Sequence, residues 1–444
     1  MIKLLLIFDA DIRLRNSVID EQLDPYQLAT KRQDQQVVQL FDSFMEAQRQ
    51  RPTMVNIDEN SKISSNDQCC YYLNIMKMSN DNKNKKKSRL ICLDGGGIKG
   101  LFAVQMMIEL EKCLVQKQRN QRKSLSDYFD WIAGTSTGSI IAYWFSQGKP
   151  LTELRLLYFN FKDEIFRGNR PYSTDKLESL LKTQLDGNKL MEDVWKQTGK
   201  HLIIVASRID CYPPRLQLFC SHHQQHQQES NRISVWQALR ASSAAPTYFH
   251  HYPPYIDGGL ISNNPTMDAI TEYFRYVQRR NVESSNKLEM VLSFGTGMIR
   301  QTERKNFAAA FDKFNYFLDF RSFVNDLSYR HHHQPWTYGN ELAAHMKTQV
   351  TNCNDHIITR SLSWCSCLNI KYCRLNSLLM KKIPLDESRN DELIQALWNV
   401  KLYSLRQWIY FDKIIDHLLS DDEQASGHHQ DDDDDDNDVF HDTN

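Results

Sequence analysis

Short apolar runs alternate with amphipathic segments through the centre of the chain. The run "LICL" precedes a helical pattern from about Leu101 to Val115, and "YFDWIAG" precedes the helical pattern "SIIAYWFSQG". The strand-like runs "HLIIVASR", "YIDGG" and "LEMVLSFGTG" continue the alternation. Strands that alternate with helices predict an α/β fold with a mostly parallel sheet and helices on both faces. Ligands then bind at the carboxyl ends of the strands.

The chain divides into four predicted parts. Residues 1–87 read as a helical and linker segment of unknown role without ankyrin repeats, and residues 88–300 hold the alternating core. Residues 301–420 read as a helical C-terminal part. Residues 421–444 are predicted to be a disordered acidic tail, because blocks of like charge repel one another. Within the core, the glutamine- and histidine-rich stretch His222 to Ser230 predicts a surface loop.

Composition narrows the class of protein. The 444 residues include 41% hydrophobic residues, enough for a substantial core, and the net charge of -1 gives no basic field for nucleic acid. Ten cysteines without regular spacing fit a reducing compartment. No stretch reaches the roughly 18 apolar residues of a spanning helix, so any membrane contact is expected to be peripheral.

Four glycines in six residues follow the strand "LICL". Gly95, Gly97 and Gly100 satisfy the spacing GxGxxG, which is typical of dinucleotide sites. Asp94, however, would place a carboxylate beside the pyrophosphate, and the next strand ends in "AGTSTG" instead of an acid. Lys99 is followed by glycine, which breaks the nucleotide P-loop pattern. These departures weigh against a nucleotide, and we expect the loop to present its backbone amides to a different anion.

The sequence "GTSTG" has the GxSxG pattern of a nucleophile elbow. Gly134 and Gly138 allow a sharp turn, and Ser136 is predicted to lie between a strand and the N-terminus of a helix. The helix dipole at that end stabilises developing negative charge. Alone, the pattern also fits an ordinary Gly/Ser turn, but the flanking strand and helix patterns favour the elbow.

A serine nucleophile needs a base, and "YIDGGLISNNP" offers one. Asp257 ends an apolar run, and Gly258 and Gly259 follow it. A carboxylate with a reference pKa near 3.9 is a weak base unless it is desolvated or pre-aligned. Acyl transfer through the serine also develops an oxyanion, which preorganised N–H groups stabilise. The consecutive glycines Gly95, Gly96 and Gly97 can supply those groups.

The motifs DGGGxxG, GxSxG and DGG, in this order, resemble those of the patatin-like phospholipases. The stretches "LDGGGIKGLF", "KDEIFRGNRPY", "ALRASSAAPTYF" and "VLSFGTG" are similar to the catalytic domain of the calcium-independent, group VI phospholipases A₂, especially the beta type, from about Ser88 to Leu419. The resemblance implies a three-layer α/β/α fold with a helical C-terminal extension. It places the nucleophile on Ser136, its partner on Asp257 and the oxyanion loop on Gly95 to Gly97.

The resemblance also implies an activity. The family cleaves the sn-2 ester of glycerophospholipids with a Ser/Asp dyad, without a catalytic histidine, calcium or any other cofactor; lysophospholipase and thioesterase reactions are candidate side activities. The implied location is intracellular, cytoplasmic with reversible membrane association, with mitochondria as a candidate site. The implied partner is phospholipid in a membrane, and calmodulin and a second copy of the chain are further candidates. Ser139 stands where relatives often have glycine, and upstream ankyrin repeats are missing.

Two alternatives remain at this point. An α/β-hydrolase would use a Ser-Asp-His triad with a histidine after Asp257, for which His331 to His333, His345 and His356 are candidates. A catalytically inactive lipid-binding scaffold would need neither Ser136 nor Asp257. A secreted, calcium-dependent phospholipase is excluded. Its signature is a Cys-Cys pair followed three residues later by histidine, whereas here Cys69 and Cys70 are followed by Leu73.

Two further patterns have structural explanations. The phenylalanine stripe from Phe307 to Phe323 fits a membrane-docking helix or lid, but equally a core helix or a dimer face. Cys365, Cys367 and Cys373 lack the paired spacing of a metal site and are predicted to be core thiols.

Overall fold

A computed structural model defines the fold over most of the central and C-terminal chain. It describes residues 2–7, 27, 29–30, 34–49, 70–73, 86–118, 123–185, 189–222, 233–280, 286–299, 353 and 356–426. The phenylalanine stripe, the histidines at 331–333 and 345, residues 223–230 and the tail beyond 426 lie outside the described residues.

The strands form one large sheet and one small one. They are β1 (Cys70–Leu73), β2 (Lys86–Leu93), β3 (Trp131–Thr135), β4 (His201–Arg208), β5 (Arg215–Cys220), β6 (Tyr255–Asp257), β7 (Asn286–Phe294), β8 (Met298–Ile299), β9 (Lys371–Leu375) and β10 (Leu378–Leu379). The large sheet has the order β1-β9-β7-β2-β3-β4-β5, with β6 also pairing with β4, and β8 pairs with β10. Strands β9, β7, β2, β3 and β4 run parallel, whereas β1, β5 and β6 pair antiparallel with their neighbours.

Helices cover both faces of this sheet. They are α1 (Ile2–Ile7), α2 (Gln35–Arg49), α3 (Gly100–Lys117), α4 (Thr137–Ser146), α5 (Leu151–Ile165), α6 (Thr174–Gln184), α7 (Met191–Thr198), α8 (Val235–Ser242), α9 (Gly259–Ser262), α10 (Thr266–Arg280), α11 (His356–Cys367), α12 (Asn390–Arg406) and α13 (Trp408–Ser426). Short 3₁₀ turns span Gly97–Lys99 and Leu125–Tyr128. The order of elements confirms the predicted α/β class.

Alternating residues of β2 enter two separate cores. Ile91 and Leu93 belong to the larger core, which α3, α4, α8, α12 and α13 cover. Leu90 and Cys92 point to the opposite face and join the smaller core beneath α10 and α11. Because successive side chains of a strand point to opposite faces, a fully apolar strand requires cover on both sides. The result is the expected three-layer α/β/α arrangement.

The structure adds detail to the predicted parts of the chain in three places. The C-terminal part is not entirely helical, because "KYCRL" forms β9 and extends the sheet beside β7. The N-terminal segment is not only helix and linker: β1 pairs with β9, and β2 begins at Lys86 because backbone pairing with Asn286–Leu288 continues through the lysines. Helix α13 continues to Ser426, past the expected start of the tail.

Helix length bears on membrane insertion. Within the part of the chain that the structure describes, no helix is both long and apolar enough to cross a bilayer.

Candidate active site

Strand β4 brings the predicted nucleophile and base together. Strand β3 pairs with β4 as far as Thr135 opposite Val205, and β6 continues along the same edge of β4 with Asp257 opposite Ala206. The other edge of β4 is occupied by β5. Ser136, which directly follows β3, and Asp257, which ends β6, therefore lie side by side above the carboxyl ends of the parallel strands.

Ser136 occupies a strained turn between β3 and α4. Its φ of 52° and ψ of −124° lie in a region that side-chain-bearing residues rarely adopt. Its N–H donates to Ser242 Oγ at 2.8 Å, and both the N–H and the hydroxyl of Ser139 donate to its carbonyl oxygen. Gly138 packs directly on the carbonyl of Leu93, where a Cβ would collide with it. Ser242, Ser139 and the packing of Gly138 thus hold the turn, and they place the Ser136 hydroxyl at the N-terminus of α4.

Ser136 and Asp257 share a direct hydrogen bond. Ser136 Oγ donates to Asp257 Oδ2 at 2.7 Å, and the N–H of Gly259 donates to Oδ1 at 2.7 Å. The second bond fixes the carboxylate so that Oδ2 faces the serine. Burial raises the pKa of Asp257 from 3.8 to about 6, although the hydrogen bonds from Ser136 and Gly259 favour its charged form. A carboxylate of higher pKa is a stronger base toward a hydroxyl.

The glycine loop lies against this pair, but its three amides are not equivalent. The N–H of Gly95 donates to the carbonyl oxygen of Asn263 at 3.0 Å. It is therefore already engaged, and its predicted role as an oxyanion donor needs correction. Among the described residues, the N–H groups of Gly96 and Gly97 donate to no protein acceptor. Gly97 has a φ of 58° and packs on the carbonyl of Leu385, which leaves no room for a side chain.

A buried ion pair anchors the start of this loop. Arg374 on β9 donates from Nη1 to Asp94 Oδ1 at 2.8 Å and from Nη2 to Oδ2, and both side chains are fully buried. Arg374 also donates to Ser293 Oγ at 2.7 Å. At the other side of the loop, Thr296 Oγ1 donates to the carbonyl of Gly95 at 3.1 Å. Asp94 thus has a positioning contact and does not face the reacting groups.

The remaining predicted glycines pack around the same centre. Gly134 in β3 contacts Gly138, Gly258 contacts the carbonyl of Val205, and Gly100 begins α3 against Thr137 and Tyr158. The sequence prediction missed four residues that support the site: Ser242, Thr296 and Arg374 through their side chains, and Asn263 through its backbone carbonyl. The signal for Arg374 was present, because an arginine inside an apolar strand-like run requires a buried partner.

Comparison with known proteins identifies the domain. Residues 91–270, which contain the glycine loop, the elbow and Asp257, match the model of the family described as Patatin-like phospholipase. The domain that these residues form belongs to the patatin-like phospholipase family. The predicted recognition is thereby confirmed.

Relatives of the chain extend the similarity beyond this patatin-like domain. An "85/88 kDa calcium-independent phospholipase A2" of Rattus norvegicus is 32% identical over 371 residues, covering 78% of this chain and 42% of that protein. An "Intracellular phospholipase A2" of Caenorhabditis elegans is 30% identical over 362 residues, covering 79% and 31%. A "cGAMP-activated phospholipase" of Escherichia coli (strain TW11681) is 30% identical over 227 residues, covering 48% and 63%. This chain spans about two fifths of the length of the rat relative.

Proposed function

We propose that this patatin-like domain is a calcium-independent phospholipase A₂ that hydrolyses the sn-2 ester of glycerophospholipids. The observation that carries the proposal is the 2.7 Å hydrogen bond from Ser136 Oγ to Asp257 Oδ2 at the strained elbow. The named activities of the rat and C. elegans relatives support the substrate class.

The reaction begins with proton transfer within the pair. Asp257 takes the proton of Ser136 as Oγ attacks the ester carbonyl, and the carbonyl oxygen becomes an oxyanion. The N–H groups of Gly96 and Gly97, supported by the N-terminus of α4, donate to this oxygen. Asp257 then returns its proton to the departing lysophospholipid oxygen, which leaves an acyl group on Ser136. Water then attacks the acyl-enzyme while Asp257 takes its proton, and Asp257 returns this proton to Ser136 Oγ as the fatty acid leaves.

Contact geometry favours this dyad over the Ser-Asp-His triad. A triad places an imidazole between the serine and the aspartate, whereas here the two side chains bond directly at 2.7 Å. Among the described residues, the Asp257 carboxylate accepts hydrogen bonds from Ser136 and Gly259 and from no histidine. His356, the triad candidate that the structure describes, begins α11 with an exposed side chain.

The conformation of Ser136 argues against an inactive scaffold. A non-glycine residue at such a backbone conformation costs of the order of 1–3 kcal/mol, and this cost persists only where surrounding contacts enforce it. Ser242, Ser139 and the packing of Gly138 enforce it here. A lipid-binding scaffold would gain nothing from holding a serine hydroxyl in this strained position against a desolvated carboxylate.

The activity should depend on pH through Asp257. Only the ionised carboxylate accepts the serine proton, so kcat/KM should rise with pH, reach half its maximum near pH 6 and level off above it. At pH 5 the rate should be about tenfold lower than at the plateau. The measurement is a pH profile on dispersed short-chain substrate, with circular dichroism at each pH to show that the protein stays folded. A profile that is flat between pH 5 and 8 contradicts this role for Asp257.

Product analysis tests the proposed function itself. The full chain should release fatty acid from the sn-2 position of phosphatidylcholine liposomes, together with the matching lysophospholipid, in excess chelator. Liposomes with different isotope labels in the two acyl chains identify the cleaved position by mass spectrometry. The Ser136→Ala variant is the control and should release neither product. A requirement for added calcium, or release from sn-1 alone, would overturn the assignment.

A further inference from the structure

Three side chains with metal-binding atoms meet in the interior, away from the dyad. They are Cys220 at the end of β5, His222 two residues later and Glu272 on α10, and all three are buried. One ligand atom from each lies within 4.8 Å of those of the other two. Cys220 pairs with Ile203 near the start of β4, whereas Asp257 pairs with Ala206 near its end. The cluster therefore lies toward the end of the sheet opposite the dyad.

The placement of His222 differs from the sequence prediction, which assigned it to a surface loop. His222 is only 4% exposed. Its ring lies edge-on to Trp131 at 4.8 Å and to Tyr276 at 4.9 Å, measured between ring centroids. The ring of His201, stacked on Trp131 at 4.0 Å, lies 5.0 Å from His222. Aromatic packing on several sides fixes the orientation of the imidazole before any ligand binds.

Glu272 is held in an orientation that suits a ligand. Its Oε2 is 3.2 Å from Arg275 Nη1, and its Oε1 is 3.5 Å from His222 Nε2. One oxygen is thus fixed by a cation while the other faces the imidazole. Supporting contacts of this kind, which orient a ligating side chain from behind, are typical of metal sites in proteins.

We propose that Cys220, His222 and Glu272 form a binding site for Zn²⁺ or a similar divalent transition metal. Thiolate, imidazole and carboxylate are the ligands that zinc prefers, and three of them leave a fourth tetrahedral position for water. Binding replaces the thiol proton of Cys220, which passes to solvent. The charges of thiolate and carboxylate balance that of the ion. The metal would join the edge strand β5 to α10, the helix that follows the Asp257 loop.

Cobalt substitution tests the site on the full chain. Cobalt(II) added to chelator-treated protein should give intense visible bands of tetrahedral geometry and a near-ultraviolet band from thiolate-to-cobalt charge transfer, at one equivalent per chain. Zinc should displace both signals. Cys220→Ser should lose the charge-transfer band, and His222→Gln and Glu272→Gln should weaken cobalt binding. Cobalt bound to the aspartates at 431–436 would be octahedral and would give no thiolate charge-transfer band. The band therefore distinguishes binding at Cys220 from binding to these aspartates.

Cys365→Ser is the matched control, because Cys365 is a buried thiol in the same small core. It should keep the full cobalt spectrum, as should Ser136→Ala, so this result is independent of the proposed lipase activity. The proposal is overturned if wild-type protein gives no charge-transfer band. It is also overturned if Cys220→Ser keeps the band, or if Cys365→Ser loses it equally. In those cases the cluster is a buried histidine–glutamate pair beside a core thiol.

Discussion

Replacement of Asp257 by asparagine is expected to lower kcat by about 10⁴-fold, the upper range for loss of a general base. Asparagine keeps the size of the side chain and an oxygen that can accept the Ser136 hydrogen bond, but it cannot take the serine proton. Because Ser136 bonds directly to this carboxylate, there is no second base between them to compensate. Release of labelled fatty acid from liposomes, measured in single turnovers, reports the chemical step.

The same variant should remain folded. The folded-state pKa of Asp257 is raised from 3.8 to about 6, so the folded protein binds this proton more tightly than the unfolded chain. The ionised group therefore lowers stability above pH 6, by about 3 kcal/mol, and this cost disappears as pH falls below 4. Asparagine removes the buried charge but also loses the hydrogen bond from the N–H of Gly259, because its single oxygen accepts from Ser136, so at pH 8 the two effects offset and Tm should stay close to that of wild type. Substantial turnover by a folded Asp257→Asn protein would eliminate the dyad.

Labelling separates the two members of the pair. A fluorophosphonate probe should modify wild-type Ser136, react much more slowly with Asp257→Asn and fail to modify Ser136→Ala. Asp268, a half-buried acid on neighbouring α10 whose pKa is also raised by desolvation, provides the matched control. Asp268→Asn should keep most of the labelling rate, because this carboxyl makes no contact with Ser136.

Local sequence was sufficient for the elements that carry the site. Polar or glycine-rich stretches bound strands β2, β3, β4 and β7 and the helices that follow them. The apolar periodicity of these elements could therefore be recognised from the sequence without knowledge of tertiary contacts. The elbow at Ser136 is a local strand-turn-helix motif and could be predicted in the same way. These elements depend on neighbours in the chain.

Contacts between distant segments could not be read in this way. Asp257 meets Ser136 only because β6 continues the edge of β4 where β3 ends, and no local pattern specifies that register. Likewise, the sequence treats Gly95, Gly96 and Gly97 as equivalent. In the structure, the carbonyl oxygen of Asn263, more than 160 residues away, accepts the hydrogen bond of the Gly95 N–H. This contact makes Gly95 different from Gly96 and Gly97. Calmodulin binding, self-association and cellular location stay predictions.

Loss of the Arg374 guanidinium is expected to be the most destabilising single change at the site. Arg374→Met should lower the free energy of unfolding by about 3–5 kcal/mol, the usual cost of leaving one member of a buried ion pair without its partner. Both side chains are fully buried, so water cannot solvate the remaining carboxylate of Asp94. Urea unfolding followed by tryptophan fluorescence gives the free energy.

Two comparison variants show whether the loss of stability in Arg374→Met comes from the buried ion pair or from the removal of any arginine. Arg208 bonds Asp210 through two similar nitrogen–oxygen contacts of 2.7 and 2.9 Å, but both side chains are 41% exposed. Arg208→Met should therefore leave stability within error of wild type, because exposed ion pairs contribute little. Asp94→Asn combined with Arg374→Met should recover part of the lost stability, since no unpaired charge remains. If the losses in unfolding free energy of Asp94→Asn and Arg374→Met simply add in the double variant, the two side chains are not energetically coupled. The glycine loop would then be anchored by contacts other than this ion pair.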